Sequence, residues 1–351
     1  EVGDNGYAIA NVFGGGNEAV YTASGMTASV NVYGCDNTIE RSFGGGNAAA
    51  APHVATFIQG GRFAQVFGGG NGERGSSYGA NITNGIELTI HGGNVGQFFG
   101  GSNQNGVVTG SLSTTVDNNG PCDGDLTITE FFCGGNFVNI NGDLETTITC
   151  SDGMNVTSLY GGCNMANITG HVVLNLYGGN YTNVYGGSKG DLASLGSGHI
   201  DQAANIGQYV TLNLYGGTIE NAYGGSNVNG NIGGVITVNV LDEEDPVCPL
   251  HITNIYGGSN MTNYTPTGSN VISPVVNVIH AKYGIGGNVY GGSMGVSGTE
   301  VDVMANPLVN IGYDASLNGY IPSTGANAYT VPLSPRAIVA GSVLADRKSV
   351  V

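Results

Sequence analysis

One pentapeptide recurs along this chain and constrains its fold more than any other feature. An aromatic residue is followed by Gly-Gly-(Gly/Ser)-Asn. FGGGN begins at Phe13, Phe43 and Phe67, and FGGSN at Phe99. The motif becomes FCGGN at Phe132, YGGCN at Tyr160, YGGSK at Tyr185, YGGSN at Tyr223 and Tyr256, and YGGSM at Tyr290. A worn copy, VAGSV, starts at Val339. The copies lie 24 to 49 residues apart, with a mean near 33. Self-similarity at such a period marks a stack of supersecondary units.

Each copy brings the same neighbours. An apolar residue usually precedes the aromatic by four positions, as at Ile9, Ile39, Phe63, Val95, Ile128, Val156, Tyr181, Ile219 and Ile252. Further upstream runs an alternating segment that ends in a second glycine turn. Val210 to Gly217 (VTLNLYGG) and Val172 to Gly179 (VVLNLYGG) are the clearest, and Glu87 to Gly93 and Ser29 to Gly34 match them. Alternation with period two and β-branched residues predicts half-buried strands. The glycine pairs supply the positive φ of sharp corners. Each repeat therefore reads as strand, Gly-Gly corner, short strand, Gly-Gly-Ser-Asn corner, and a segment of variable length.

Like motifs at similar distances argue for stacking like on like rather than for hairpins. The prediction is an all-β, parallel β-solenoid (β-helix) of about eleven glycine-cornered repeats, in one domain over 1–351, with 295–351 as degenerate terminal coils. If one repeat makes one coil, the rod is roughly 50 Å long at a strand spacing of about 4.8 Å. The sequence leaves open whether a repeat makes one coil or two. Composition is compatible with a packed core, because 40% of residues are hydrophobic although 64 are glycine. Only 9% are charged, and the net charge of −17 makes nucleic acid and anionic membranes poor partners. No apolar run is long enough for a membrane-spanning helix. With Glu1 first and no leader, the chain reads as a mature or excised form.

Stacking predicts ladders. Phe13, Phe43, Phe67, Phe99, Phe132, Tyr160, Tyr185, Tyr223, Tyr256 and Tyr290 are expected in one aromatic column. A second column holds the Ser, Gly and Cys positions of the corner. A third holds Asn17, Asn47, Asn71, Asn103, Asn136, Asn164, Asn227 and Asn260, whose amides can bond to one another. These columns read as structural. An aromatic column facing outward would instead suit sugar rings.

The YGG(S/G)N motif, with V-x-L-N-L-x-G-G upstream, resembles the glycine-rich repeat surface proteins of gut Bacteroidetes. Those are similar in turn to adhesins and autotransporter passengers built as β-helices. The resemblance covers nearly the whole chain and implies a cell-surface or extracellular place and a structural or adhesive role. It carries no catalytic residues.

β-Helices also host carbohydrate-active enzymes, and hydrolysis of a glycosidic bond needs two carboxylates at a set separation. The nearest pair here, Asp123 and Asp125 around Gly124, reads as a solvated turn, and so does the acidic run Asp242 to Asp245. The eight basic residues are scattered, the six histidines share no repeat position, and no Gly-x-Ser-x-Gly elbow or P-loop occurs. Asn rather than Asp follows the glycines, which argues against calcium at the corners. The chain is therefore expected to be no enzyme and to need no metal or cofactor. A carbohydrate-binding or carbohydrate-active β-helix is the alternative.

Six cysteines lack metal spacing. Cys133 and Cys163, in adjacent copies of the motif, are the preferred disulfide, and Cys122 with Cys150 a second; small buried thiols are the other reading. Six sequons, at Asn81, Asn155, Asn167, Asn180, Asn260 and Asn263, are glycan acceptors in a eukaryotic secretory host, and composition alone accounts for their number. The insertion from Ser188 to Ala204 predicts one helical turn around Asp191 to Leu195. Open solenoid ends invite pairing. An acidic start (Glu1, Asp4, Glu18) and an apolar, basic end (Ala337 to Ala345, with Arg336, Arg347 and Lys348) predict end-to-end self-association. Surface glycans or a host surface are further candidate partners.

Overall fold

A computed structural model describes residues 6–21, 25–75, 77–296, 301–314, 319–320 and 341–344. It is a parallel β-solenoid. Its first wall is a sheet of eleven strands stacked in sequence order. These strands define coils 1 to 11: Ile9–Phe13, Thr38–Phe43, Arg62–Phe67, Asn94–Phe99, Leu126–Phe132, Met154–Tyr160, Asn180–Tyr185, Thr218–Tyr223, His251–Tyr256, Val289–Tyr290 and Val343–Leu344. Phe13 pairs with Phe43, Phe43 with Phe67 and Phe67 with Phe99, so one repeat makes one coil.

The second wall consists of the alternating segments, one leading into each first-wall strand. Thr27–Val32, His53–Ile58, Ile86–Ile90 and Leu112–Val116 form a four-stranded sheet ahead of coils 2 to 5. A six-stranded sheet from Leu144–Ile148 to Asn306–Ile311 lies ahead of coils 6 to 11. The ladder is therefore broken between Leu112–Val116 and Leu144–Ile148. A third side has one bridge per coil rather than a strand, running Ala51, Ile82, Val108, Ile140, Ile168, Ile206, Ile232. Sequence reading treated this side as a variable segment. A single apolar residue between loops leaves no periodicity to detect.

The inward positions explain the alternation. In Val172–Leu176 and Val210–Leu214 the first, third and fifth residues are buried and the second and fourth are not. One apolar core runs the length of the rod and takes the Ile39, Phe63, Val95 and Ile128 column from the first wall. The helical turn expected after Asp191 is a 3-10 turn at Ala193–Leu195.

Three expectations need correction. The eleventh strand is not aligned through VAGSV: Leu344, not Val339, pairs with Tyr290, so Gly341 to Leu344 matches Gly287 to Tyr290. The motif glycines are not there for positive φ. A Cβ on Gly44 would lie 2.3 Å from the Gly68 carbonyl oxygen, and one on Gly161 2.4 Å from that of Gly186, so backbone-to-backbone stacking of the corners excludes side chains. The second-wall corners do use positive φ, at Gly61, Gly93, Gly179 and Gly217.

The third correction concerns the cysteines. Cys133 and Cys163 are free and buried. In-register stacking keeps them apart: the Cys133 amide bonds to the Tyr160 carbonyl, whereas Cys163 Sγ sits over Gly134. Second and fourth motif places stack on their own kind, not on each other. Nor does Cys122 pair with Cys150. The disulfides are Cys35–Cys122, with Cα atoms 5.4 Å apart, and Cys150–Cys248, at 5.8 Å. All four cysteines follow a second-wall strand, at the corner leading into coils 2, 5, 6 and 9. Each bridge thus reaches back three coils, roughly 14 Å along the stack at about 4.8 Å per coil. The connections after Val116 and after Leu241 are straps folded back along this edge. They lie on intervening Gly-Gly corners. Cys122 Sγ is 2.5 Å from where Gly60 would carry a Cβ, and Cys248 Sγ is 2.7 Å from that point on Gly178.

Candidate functional site

The ten aromatics stack into one column. Successive rings from Phe13 to Tyr290 lie 4.6 to 4.9 Å apart and within 10° of parallel. That spacing is the strand spacing, so the backbone sets the stack. The members from Phe43 to Tyr256 are buried in a cluster separate from the main core. An outward sugar-stacking platform is therefore not what they form. The tyrosine hydroxyls reach neighbouring corners: Asn227 donates to Tyr160 Oη at 3.0 Å. Burial pushes the hydroxyls of Tyr160, Tyr185 and Tyr223 well above the usual phenol range.

The corner asparagines form a hydrogen-bonded chain. Asn47 donates to Asn17, Asn71 to Asn47, Asn103 to Asn71, Asn136 to Asn103 and Asn164 to Asn136, each at 2.8 Å. Lys189 then occupies the place and pairs with Glu130 instead. The buried Asn164 Oδ1 is left without a donor there. The chain resumes with Asn260 donating to Asn227. Beside it, Ser188, Ser226, Ser259 and Ser293 hydroxyls accept backbone N–H groups from the preceding coil.

Besides the first-wall ladder in which Asn254 donates to Asn221 and Asn221 to Asn183, the ladders outside the sequence expectations include two on the other walls. Asn213, Asn239, Asn277 and Asn310 each donate to the asparagine one coil back on the second wall, starting from Asn175. On the third side, Asn81, Asn167, Asn205, Asn231 and Asn263 accept backbone N–H groups from the next coil. The first was visible as the N of V-x-L-N-L. The second had no strand pattern to frame it. All six sequon asparagines engage such bonds: Asn180 donates to Asn155, which donates to Asp125.

The acidic segments cap their own turns. Asp242 is buried rather than solvated, and it accepts the N–H groups of Glu244 and Lys282. Asp245 accepts those of Val247 and Cys248. Asp123 and Asp125 flank Gly124, whose φ is +95°. Among the described residues no group of three or more His, Cys, Asp or Glu is placed to hold a metal ion. Burial pushes the thiols of Cys133 and Cys163 up to about 12, which keeps them protonated and unreactive.

One concave feature stands out. A trough of about 710 Å³ runs along the outer face of the first wall from Asn94 in coil 4 to Gly286 beside coil 10. It is lined by Thr129, Thr157, Thr182, Glu220 and Thr253 in one row, and by Thr127, Asn155, Asn180, Thr218 and His251 in another. Tyr283 closes one end, stacked on His251 at 4.6 Å. At the other end a second hollow of about 680 Å³ shares Asn94 and Thr127 and is bordered by the first strap at Pro121, Cys122, Asp123 and Asp125.

No helix among the described residues is long and apolar enough to cross a membrane. No family model, curated protein or solved structure matches this chain.

Proposed function

We propose that the chain is a non-catalytic extracellular or cell-surface rod with a structural or adhesive role. The observation that carries this reading is the pair of disulfides laid along the stack. Persistent disulfides belong to oxidising compartments. These two tie coil 2 to coil 5 and coil 6 to coil 9, which resists the coil-by-coil opening to which a solenoid is prone. The glycine, aromatic and most asparagine repeats are committed to coil-on-coil contacts, as a rod requires.

The rod also associates end to end. Among the described residues, Ile9–Phe13 is paired on one side only and exposes Ile9, and Asn306–Ile311 likewise exposes Leu308 and Ile311. Such edges template further pairing. The charged and apolar end residues Glu1, Asp4, Arg336, Ala337 to Ala340, Ala345, Arg347 and Lys348 lie outside the described residues. Two measurements test the proposal. Fractionation of the cells that make the protein should find it at the surface or outside, with both disulfides formed; a reduced, cytosolic chain overturns the reading. Scattering and electron micrographs of the purified chain should show rods that lengthen with concentration, and rods of constant length refute the end-to-end contact.

A further inference from the structure

We propose that the first-wall trough binds an extended, uncharged glycan chain along the rod axis. This rests on the adhesive side of the function proposed above and names its site and ligand class. The threonine row of the trough differs from the asparagine columns in one respect. The Asn17-to-Asn164, Asn175-to-Asn310 and Asn81-to-Asn263 columns are consumed by hydrogen bonds between coils. The Thr129, Thr157, Thr182 and Thr253 side chains are exposed, and their hydroxyls make no hydrogen bond within the described protein. Stacking repeats this row in coils 5, 6, 7 and 9, with Glu220 at the same place in coil 8, yet stacking does not use it. At the junction of the two hollows, the Thr127 hydroxyl is shielded from solvent and also lacks a partner. A polar group held in that state is one that a ligand can satisfy.

The chemistry of the lining selects the ligand. Threonine hydroxyls and asparagine amides both donate and accept, at intervals of about 4.8 Å from coil 4 to coil 9, roughly 24 Å in all. The matching partner is a long chain that carries hydroxyls on every unit. Glu220 and His251 are the only ionisable side chains in the two rows, so charge pairing contributes little. The net charge of −17 disfavours anionic polymers. An extended peptide has no backbone edge to add to, because coils 4 to 9 are hydrogen-bonded on both sides. Tyr283, 55% exposed, offers a ring face at one end for the apolar face of a sugar. The volume falls within the range of ligand clefts.

The test is calorimetric titration of the intact, oxidised chain with neutral cello-, malto-, manno- and xylo-oligosaccharides of increasing length, and with oligogalacturonate as the anionic probe. At least one neutral series should bind, with affinity rising until the chain fills the trough. Thr157→Trp and Thr182→Trp, which fill it, should each weaken binding at least tenfold. Thr211→Trp, on the second wall, should leave it unchanged. Failure of every neutral series, equal binding of oligogalacturonate, or binding that survives both trough substitutions overturns the proposal. Circular dichroism on each variant separates loss of the site from loss of the fold. Rods that form but bind no neutral chain refute the trough alone, whereas release of shortened sugars refutes the non-catalytic reading.

Discussion

Removing the first strap's anchor, with Cys35→Ser and Cys122→Ser together, tests the axial bridge most directly. The bridged residues are 87 apart in sequence. Chain-entropy bookkeeping for a loop of that length gives about 4.6 kcal/mol of stabilisation when the entire loop is unfolded in the reference state. A solenoid need not unfold that way. Its coils open in sequence from an end or a flaw, and a bridge restrains the open ensemble only after the enclosed coils have come apart. The loss should therefore fall on the collective opening of coils 2 to 5 and leave the fraying of coil 1 unaffected. It should also stop at the break in the second wall, since the other bridge closes within coils 6 to 9 and neither crosses from Val116 to Leu144.

Native-state hydrogen exchange resolves these cases, because it reports opening free energies segment by segment. In the double-serine variant, amides of Thr38–Phe43, Arg62–Phe67 and Asn94–Phe99 should lose about 3–5 kcal/mol of protection. Those of Asn180–Tyr185 and Thr218–Tyr223 should change by less than about 0.5 kcal/mol, as for distant, independent sites. The Cys150→Ser, Cys248→Ser pair should give the mirror image. Equal losses in both blocks, or none in either, would refute the idea of two separately latched blocks.

Phe99→Ala removes a fully buried ring with stacked neighbours on both faces and should cost about 3–5 kcal/mol in denaturant unfolding; a cost near zero would show that the column adds nothing beyond the backbone. Gly178→Ala places a methyl 2.7 Å from Cys248 Sγ and should lower the fraction of chains with the Cys150–Cys248 bridge, read by non-reducing peptide mapping. For pH, Cys133 and Cys163 rise from 9.0 to about 12 in the folded state, and the ladder tyrosines rise as well, all through burial. A folded pKa above the unfolded value means that the stabilisation is complete below about pH 9 and drains as pH climbs toward about 12. Denaturation midpoints should thus be flat through neutral pH and fall above about 9, and a thiol reagent should label neither cysteine until the chain unfolds.

The fold was legible because a solenoid repeats its signals. Ile9, Ile39, Phe63, Val95 and their successors hold one place before each motif, and the register pairs them with one another. The single-bridge side was not legible, since Ile140 or Ile206 between loops has no period of two. The bridges were not legible from the motif. Cys133 and Cys163 share it, but residues in different motif places lie on different columns. The informative feature was the corner common to Cys35, Cys122, Cys150 and Cys248, each just after a second-wall strand. The Gly-Gly pairs at Gly60, Gly92, Gly178 and Gly216 marked the coils that the straps cross.

The same edge joins the latch to the trough. Asp125, at the end of the first strap, accepts a hydrogen bond from Asn155 in the trough, and Asn155 accepts one from Asn180. Cys122 itself borders the hollow that continues the trough toward coil 2. A strap held by Cys35 fixes Pro121, Asp123 and Asp125 against the first wall. A recurrent residue in a solenoid is first a stacking residue, and most here are satisfied by their own copies. Function concentrates where the repeat departs from that economy: in the unspent hydroxyl row of Thr129, Thr157, Thr182 and Thr253, and in the irregular strap that borders it.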